Sequence, residues 1–319
     1  MQVTQLTPSI GSEIQGIDLG QPVSEERAQL LRNMLSERGV LVIRDQQLDR
    51  DQHKTCGRLF GELHTHPSRA NTQGDPHIFK VRADADTRLN NGGSWHSDLS
   101  CSPLPPLASL LLLRDLPAGG GGDTLFANMC DFFAALSPRM QAFLRTLTAR
   151  HDGKLDLRQY GIPVDRYMDY PCTEHPVVVV HPDTQREILL VNGSFTDCIV
   201  ELERAESDAL LRFLIDKIER AVEFQCRVRW APHTLVIWDN RMTQHKAVWD
   251  YFPHERYGER VSVKSPQRLI KSPQRLIKSP QRLIKSPQRL EKSPQRPVKS
   301  PQSVKESPQR QTDRQIESP

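Results

Sequence analysis

The sequence predicts a mostly β fold with peripheral helices and a jelly-roll core, followed by a repetitive C-terminal tail. Three observations lead to this prediction. Many short apolar segments are separated by turn-forming residues, which is typical of antiparallel β proteins. Few segments show helical periodicity or helix caps. From Lys264 the chain repeats the unit Lys-Ser-Pro-Gln-Arg-Leu-Ile, a pattern typical of low-complexity segments.

The N-terminal part contains two predicted helices with a strand between them. A serine cap and a following glycine delimit a helix over residues 24–38. Val40–Ile43 is uniformly apolar, which indicates a buried strand. Asp49, with Gln52 three residues later, has the capping-box pattern of a second helix that ends near Phe60.

The remaining elements follow from apolar runs and cap signals. Residues 70–94 are polar apart from 78–81, so we expect a loop there. Ser137 followed by proline predicts the start of a helix. Apolar residues three and four apart between 210 and 221 predict an amphipathic helix. Five further strands are predicted at 107–116, 123–129, 224–230, 235–238 and 260–263.

The chain divides into two parts of unlike composition. Residues 264–319 contain 14 of the 43 Lys+Arg and 4 of the 39 Asp+Glu, so this tail carries +10 and the remainder −6. Residues 1–263 suffice for one large domain with a sizeable core. Proline in each repeat opposes a helix at a cost of about 3 kcal/mol. With few apolar residues to bury, the tail 264–319 is predicted to be a disordered, basic heptad-repeat segment.

Cysteine usage and hydropathy suggest where the protein resides. No apolar run reaches the ~18 residues of a membrane span, so no membrane partner is expected. The N-terminus lacks the pattern of a signal peptide. Six scattered cysteines without a Cys-x-x-Cys pair are typical of reduced thiols, so we expect a cytoplasmic protein. The sequence leaves a homo-oligomer open.

Three metal-ligating residues are the main indication of function. His96 and Asp98 lie two apart, which would place both side chains on one face of a strand. His245 follows 147 residues after Asp98. Two imidazoles and one carboxylate form the facial triad that holds non-haem Fe(II) with open positions for oxygen chemistry.

Two other interpretations of these residues stay open at this point. Each of the three residues, taken alone, could be a hydrogen-bonded core residue. Zinc can also be held by two histidines and an aspartate. A zinc hydrolase would need a general base nearby, and the sequence has no His-Glu-x-x-His helix to supply one.

Four further motifs point to a known family: residues 11–19 (GSEIQGIDL), 60–67 (FGELHTHP), 121–126 (GGDTLF) and 237–241 (IWDNR). Together with the triad, they resemble the taurine dioxygenase family of Fe(II)/2-oxoglutarate-dependent oxygenases over residues 3–263. That family includes enzymes for phenoxyalkanoates and alkylsulfates. The resemblance implies a double-stranded β-helix core, with Fe(II), 2-oxoglutarate and O2 as cofactor and co-substrates.

The resemblance also implies roles for five residues outside the triad. Arg256 matches the arginine that grips the distal carboxylate of 2-oxoglutarate, aided by Thr124. Arg260 matches a second arginine near the co-substrate's C1 carboxylate and the substrate head group. His66 matches a histidine that binds an anionic head group, and Phe195 matches an aromatic residue of the substrate pocket.

The implied substrate is a small anionic organic molecule resembling taurine or another alkanesulfonate. Gly153 and Leu157 stand where the taurine enzymes carry aromatic residues, and Arg69 stands in place of a tyrosine. These departures keep three alternatives open: an alkylsulfate, a phenoxy acid and a secondary-metabolite intermediate.

A rival hypothesis places the function in the tail. A non-catalytic binding or scaffold protein could act through the basic repeats, which are suited to weak polyanion binding. We do not expect nucleic acid to be the partner of the folded part, which is acidic overall. The intact triad and the two arginines favour the enzyme.

Overall fold

The computed structural model describes residues 1–67, 74–89, 92–161, 163–164 and 170–273. Within these ranges the chain is mostly β, with few helices. The α-helices are α1 (Glu25–Arg38), α2 (Arg50–Arg58), α3 (Met129–Ala134), α4 (Pro138–Leu144), α5 (Gly153–Gln159) and α6 (Arg204–Arg220).

The strands are short and run through the whole described part of the chain. In chain order they are β1 (Gln2–Gln5), β2 (Ser12–Gln15), β3 (Val40–Ile43), β4 (Leu63–His64), β5 (Phe79–Ala83), β6 (Ala108–Asp115), β7 (Thr124–Asn128), β8 (Thr148–Asp152), β9 (Cys172–Pro176), β10 (Val178–Val180), β11 (Glu187–Leu189), β12 (Thr196–Ile199), β13 (Gln225–Val228), β14 (Leu235–Asp239), β15 (Thr243–Ala247), β16 (Arg256–Val263) and β17 (Ile270–Lys271).

One large sheet and three small ones contain all these strands. The large sheet has the order β1-β2-β3-β14-β6-β16-β4, and β5 also pairs with β16. The small sheets have the orders β13-β7-β15, β12-β8-β9 and β11-β10-β17. The described pairings are antiparallel except for the parallel pair β2 and β3.

The central strands of the large sheet are buried on both faces. In β14, Leu235 and Ile237 pack into one apolar cluster, while Val236 and Trp238 pack into another. Strands β3 and β6 alternate between the same two clusters. Successive side chains of a strand point to opposite faces, so an uninterrupted apolar run of this kind requires a layer on each side.

Helices cover one face of the large sheet and a small sheet covers the other. On the helical side, Leu31 and Leu35 of α1 and Cys56 of α2 join the cluster of Leu235 and Ile237. On the opposite side, Phe126 of β7 joins the cluster of Trp238. The space between the two sheets holds the candidate site.

Strand β16 turns its charged residues to both layers. Glu259 and Val261 face the helical side, where the Glu259 carboxylate lies 2.6 Å from Arg50 and 3.3 Å from Arg114. Arg256 and Arg260 lie on the opposite face of the strand and line the space between the sheets. Their spacing of four residues is even, which places both guanidinium groups on one side.

The predicted helix caps are confirmed. Ser24 accepts a hydrogen bond from the N–H of Arg27 at the start of α1. Asp49 and Gln52 form a reciprocal capping box at the start of α2, which ends at Arg58 rather than near Phe60. Ser137 caps α4. These signals are local, so they need no knowledge of the tertiary fold.

Two predictions about strands were wrong in extent. Strand β16 begins at Arg256 and not at residue 260, because its first half pairs with β5 on one side and β6 on the other. Residues 96–98 do not form a strand. His96 makes a single β-bridge with His245, and Asp98 begins a turn.

The first heptad repeat contributes to the fold, although disorder was predicted from residue 264. Ile270 and Lys271 form β17 at the edge of β10. Ser272 is only 2% exposed. Order is gained here because Leu269 packs against the apolar cluster around β10 and β11. Residues 274–319 lie outside the described part of the chain, and the boundary at residue 263 stays a prediction.

Close packing between α2 and β16 generates a stability prediction at Gly57. A Cβ atom there would lie 2.8 Å from side-chain carbons of Leu63 and Val261. Alanine improves helix propensity by about 1 kcal/mol, but overpacking typically costs about 1–3 kcal/mol. We expect Gly57→Ala to lower the free energy of unfolding in urea titration. Arg58→Ala, on the exposed face of α2, should change it by less than about 0.5 kcal/mol. A Gly57→Ala protein as stable as the wild type would contradict this packing.

Candidate active site

Backbone pairing brings the two distant histidines together. The N–H of His245 donates to the carbonyl of His96 at 2.8 Å, and the N–H of His96 donates to the carbonyl of His245 at 3.1 Å. Their ring centroids lie 4.1 Å apart. His245 lies within β15, which pairs with β7, so the small sheet fixes the position of both imidazoles.

The side chain of Asn240 holds Asp98 beside the two rings. Its Oδ1 accepts from the N–H of Asp98 at 2.7 Å, and its Nδ2 donates to the carbonyl of Asp98 at 2.8 Å. The Oδ1 atom of Asp98 lies 4.0 Å from Nε2 of His96 and 3.9 Å from Nε2 of His245. Ligand distances of about 2.1 Å allow two ligands of one ion to be up to roughly 4.2 Å apart. The three residues can therefore share one metal ion.

The Asp98 carboxylate is buried among cations and donors. Its Oδ1 accepts from Arg260 at 2.5 Å, and its Oδ2 accepts from Ser109 at 2.7 Å. Burial works to raise the pKa of the Asp98 carboxyl, but the charge of Arg260 outweighs it, with help from the Ser109 hydrogen bond, and holds the pKa well below its usual range. The group is therefore a carboxylate, which is the form that binds a metal.

Both imidazoles are prepared to bind through Nε2. Nδ1 of His96 lies 2.8 Å from the carbonyl oxygen of Ser94, which favours a proton on Nδ1 and leaves Nε2 as the acceptor. Burial, followed by the neighbouring His96, lowers the pKa of His245 well below its usual value, so its ring is neutral. Nδ1 of His245 has no hydrogen-bond partner among the described residues. Two imidazoles and a carboxylate form a donor set that suits Fe(II).

Arg256 is a buried cation at the start of β16. It is 5% exposed, and its Nε donates to the carbonyl of Gly122 at 3.0 Å. Its guanidinium lies 5.7 Å from the ring centre of Trp230, whose Nε1 donates to Thr124 at 3.1 Å. Within the described part of the chain, no carboxylate forms a salt bridge with Arg256. A buried charge without an ionic partner is costly, which suggests that this guanidinium serves an anion from outside the chain.

Arg260 and His66 flank the metal ligands on the other side. The Arg260 guanidinium lies 4.9 Å from the ring centre of Phe79, and the His66 ring is tilted against the same phenylalanine, with the ring centres 4.7 Å apart. One N–H of Arg260 is used by Asp98, while its Nε has no partner among the described residues. Phe79 thus positions both groups at the cavity.

A cavity of about 600 Å³ opens at the three candidate metal ligands, which line it. All eight residues predicted for the site line it: His66, His96, Asp98, Thr124, Phe195, His245, Arg256 and Arg260. Phe195 is 4% exposed, and its ring lies 6.5 Å from that of His96. Arg69 lies outside the described residues. The structure brings the predicted residues together, and the roles assigned to them stay predictions.

Tyr170 compensates for an aromatic residue that was expected at position 153. A Cβ atom on Gly153 would lie 2.3 Å from Cδ1 of Tyr170, so the glycine leaves room for that ring. Tyr170 lines the cavity together with Leu157 and Phe195. The cavity wall near α5 is therefore aromatic, although the ring comes from a different part of the chain.

Several contacts of the site were missed by the sequence argument. Ser109 and Asn240, which hold Asp98, and Trp230, which stacks on Arg256, were not predicted. Asp156 of α5 and Tyr170 also line the cavity. Only Ser109 gave a usable signal, because it is a single hydroxyl residue just before the apolar run 110–113. The others depend on tertiary packing.

Comparison with known proteins gives relatives from fungi and bacteria. An alpha-ketoglutarate-dependent sulfonate dioxygenase of Saccharomyces cerevisiae is 38% identical over 280 residues, covering 82% of this chain and 66% of the yeast protein. An alkylsulfatase of Acinetobacter baylyi is 32% identical, covering 82% of this chain and 84% of the relative.

The fold has solved counterparts as well. The crystal structure of a putative alpha-ketoglutarate-dependent taurine dioxygenase from Burkholderia xenovorans superimposes with a TM-score of 0.73 at 31% sequence identity, covering 85% of this chain and 91% of that one. The family model described as taurine catabolism dioxygenase TauD, TfdA family matches residues 2–262, which include the three candidate metal ligands and both cavity arginines. The chain therefore belongs to the TauD/TfdA family of dioxygenases that use Fe(II), 2-oxoglutarate and O2.

Proposed function

We propose that this dioxygenase hydroxylates a small anionic organic substrate of the alkanesulfonate class. The observation that carries the proposal is the charge around the cavity: Arg256 and Arg260 flank the metal triad, and His66 lies beside Arg260. One cation is needed for the dicarboxylate co-substrate, and the second is available to a substrate anion. The yeast relative is named for a sulfonate, which agrees with this assignment.

In this proposal His96, Asp98 and His245 hold the iron. Iron held by these residues would supply the activation of O2 that, with 2-oxoglutarate, gives succinate, CO2 and a hydroxylated substrate carbon. The chain supplies the geometry of the three side chains, and it keeps Asp98 in the carboxylate form that binds a metal. The largely buried site also limits the access of water to the reacting groups.

Arg256 and Thr124 are assigned to the co-substrate. The planar guanidinium can bind a carboxylate through two parallel hydrogen bonds, which a lysine cannot reproduce. Trp230 contacts both residues: its ring lies against the Arg256 guanidinium, and its Nε1 donates to the Thr124 hydroxyl. The distal carboxylate of 2-oxoglutarate would supply the negative charge that Arg256 lacks within the described chain.

Arg260 and His66 are assigned to the head group of the substrate. Arg260 is held by Asp98 at one N–H, and it has further donors directed away from that bond. Hydroxylation of the carbon bonded to a sulfonate gives an unstable product that separates into an aldehyde and sulfite. The protein would then release inorganic sulfur from an organic source.

A second group of substrates is favoured by the aromatic wall of the cavity. Tyr170, Phe195 and Trp238 line a space of about 600 Å³, which is large for a two-carbon sulfonate. An alkylsulfate, a phenoxy acid or a secondary-metabolite intermediate would bury more apolar surface there. The Acinetobacter relative is named as an alkylsulfatase.

Architecture and location are proposed along with this function. We assign residues 1–263 to a jelly-roll, double-stranded β-helix domain, supported by the facing sheets on either side of the site. Residues beyond it are assigned to the repeat tail. All six cysteines are free, which supports a cytoplasmic location. No helix in the described ranges is long and apolar enough to cross a bilayer.

The rival proposal, in which the basic tail binds a partner and the folded part is inert, accounts for less. A scaffold would have no use for a buried Arg256 that forms no salt bridge within the described ranges, or for the ordered side chains of the triad. Polyanion binding by the tail and a homo-oligomeric state remain separate predictions, which binding and mass measurements on the full chain would test.

The first prediction concerns the metal ligands. His96→Ala, Asp98→Ala and His245→Ala should each abolish substrate-dependent succinate formation and weaken Fe(II) binding, because each removes one of three ligands. Succinate assays and anaerobic Fe(II) titration measure the two effects. His254→Ala, on an exposed turn, serves as the control. Near-normal turnover in any of the three variants would remove that residue from the metal site.

The second prediction concerns the co-substrate. Arg256→Lys keeps the charge and loses the planar fork, so we expect 2-oxoglutarate binding to weaken by roughly 1–3 kcal/mol. Anaerobic titration of the Fe(II)-loaded protein, followed by its visible charge-transfer band, measures the dissociation constant. Arg204→Lys on exposed helix α6 should leave the constant unchanged. An unaltered titration of Arg256→Lys would exclude this residue from the co-substrate site.

The third prediction concerns substrate charge. Turnover should favour anionic compounds over neutral compounds of matched size, because Arg260 and His66 border the metal ligands. A panel of taurine, longer alkanesulfonates, alkylsulfates, phenoxyacetates and matched neutral alcohols, assayed by succinate release, distinguishes the substrate classes. Preferential turnover of the alcohols would refute the assignment of an anionic head group.

A further inference from the structure

The edge of β10 is occupied by the repetitive tail. On the β11 side, the carbonyl of Val177 accepts from the N–H of Leu190 and the N–H of His181 donates to the carbonyl of Arg186, the residues that flank β11. The intervening positions point the other way, and the carbonyl of Val178 accepts from the N–H of Ser272 at 3.1 Å. Val180 lies opposite Ile270. Without the tail, β10 would present an open edge with unpaired backbone groups.

Two side chains of the tail make specific contacts at this edge. Leu269 packs against the apolar cluster that contains Val177 and Val179. The Ser272 hydroxyl donates to the carboxylate of Glu187 on β11. That carboxylate is also held by Arg145 through hydrogen bonds of 2.6 and 2.7 Å. The edge therefore recognises an apolar residue and, three residues later, a hydroxyl donor.

The recognised tetrapeptide occurs more than once in the chain. Leu-Ile-Lys-Ser stands at 269–272, and identical copies stand at 276–279 and 283–286, each followed by proline. The fourth repeat reads Leu-Glu-Lys-Ser at 290–293. The second and third copies and the fourth repeat lie outside the described residues. Because proline cannot donate to a ladder, each copy is limited to a short strand of the kind seen in β17.

We propose that the edge of β10 is a binding site for the Leu-Ile-Lys-Ser segment, and that the three identical copies in the tail compete for this one edge. Strand β17 is the occupied state with the first copy. The occupant is this chain's own tail, joined to the domain through the residues after Val263. The proposal is independent of the chemistry at the metal site.

The tether sets the order of preference among the copies. Identical side chains offer the same contacts to Glu187 and to the apolar cluster. The copies therefore differ in the number of residues that connect Val263 to the segment that binds. The connection from Val263 has 5 residues for the first copy, 12 for the second and 19 for the third. The entropic cost of closing a loop grows slowly with loop length. Binding of the second and third copies is therefore disfavoured by roughly fourfold and sevenfold relative to the first. Loss of the first copy should therefore be compensated by the next.

Hydrogen exchange in the full-length chain tests this competition. Peptides from different tail repeats have the same sequence and cannot be told apart. The amide exchange of the unique segment 177–181 is therefore measured instead, by mass spectrometry. Leu269→Asp alone should reduce the protection of this segment by no more than roughly fourfold. Substituting Leu269, Leu276 and Leu283 together should remove the protection that β17 provides.

A matched triple variant controls for the added charge. Substituting Leu269, Leu276 and Leu290 by aspartate leaves the third copy intact, so it should retain protection within about tenfold of the wild type. Equal exchange in the two triple variants would overturn the competition among copies. Complete loss of protection in Leu269→Asp alone would show that only the first copy binds. Unchanged protection in the variant without any intact copy would overturn the binding site itself.

Discussion

An ionised carboxylate that is only 4% exposed would be costly in an apolar interior unless other groups compensate its charge, and Asp98 is such a group. Its compensation comes from separate parts of the fold. Arg260 reaches it from β16, Ser109 from β6, and the imidazoles come from the bridge between His96 and His245. The arrangement of the strands around the cavity can be understood as the set of positions that keeps this one anion stable and ready to bind a cation.

The alternation of side chains along the central strands makes that arrangement robust. Residues 40–43 of β3, 110–113 of β6 and 235–238 of β14 are apolar, so within these runs a shift of one residue would exchange the two faces without bringing a polar side chain into either core. Strand β16 removes this ambiguity, since a shift there would bury Glu259 in the cavity and turn Arg256 and Arg260 toward the helices. The polar strand therefore fixes the register of its apolar neighbours.

Features with a local cause could be predicted from the sequence. The caps of α1, α2 and α4 rest on side chains within a few residues of the helix, and apolar runs such as Val40–Ile43 need only a buried sheet. The residues of the site were found through motifs, which carried information about distant contacts that no local rule contains. The eight residues line one cavity even though the local structure of residues 96–98 was misjudged.

Features that depend on tertiary pairing could not be predicted. The first half of β16 is polar and became a strand only because β5 and β6 lie on either side of it. Tyr170 replaces an aromatic residue expected near Gly153, and its position depends on a segment that sequence patterns do not place. Strand β17 lies in a repeat whose composition favours disorder. Its order depends on Ser272 and Leu269, whose partners are distant in sequence, so no local pattern predicts it.

The bridge between His96 and His245 also bears on how the protein is made. The two histidines are 149 residues apart, so their pairing closes most of the domain into one loop. A chain still emerging from the ribosome has no complete set of ligands until His245 and the strand that carries it have left the exit tunnel. Assembly of the candidate iron site therefore waits for the synthesis of the whole span from residue 96 to residue 245.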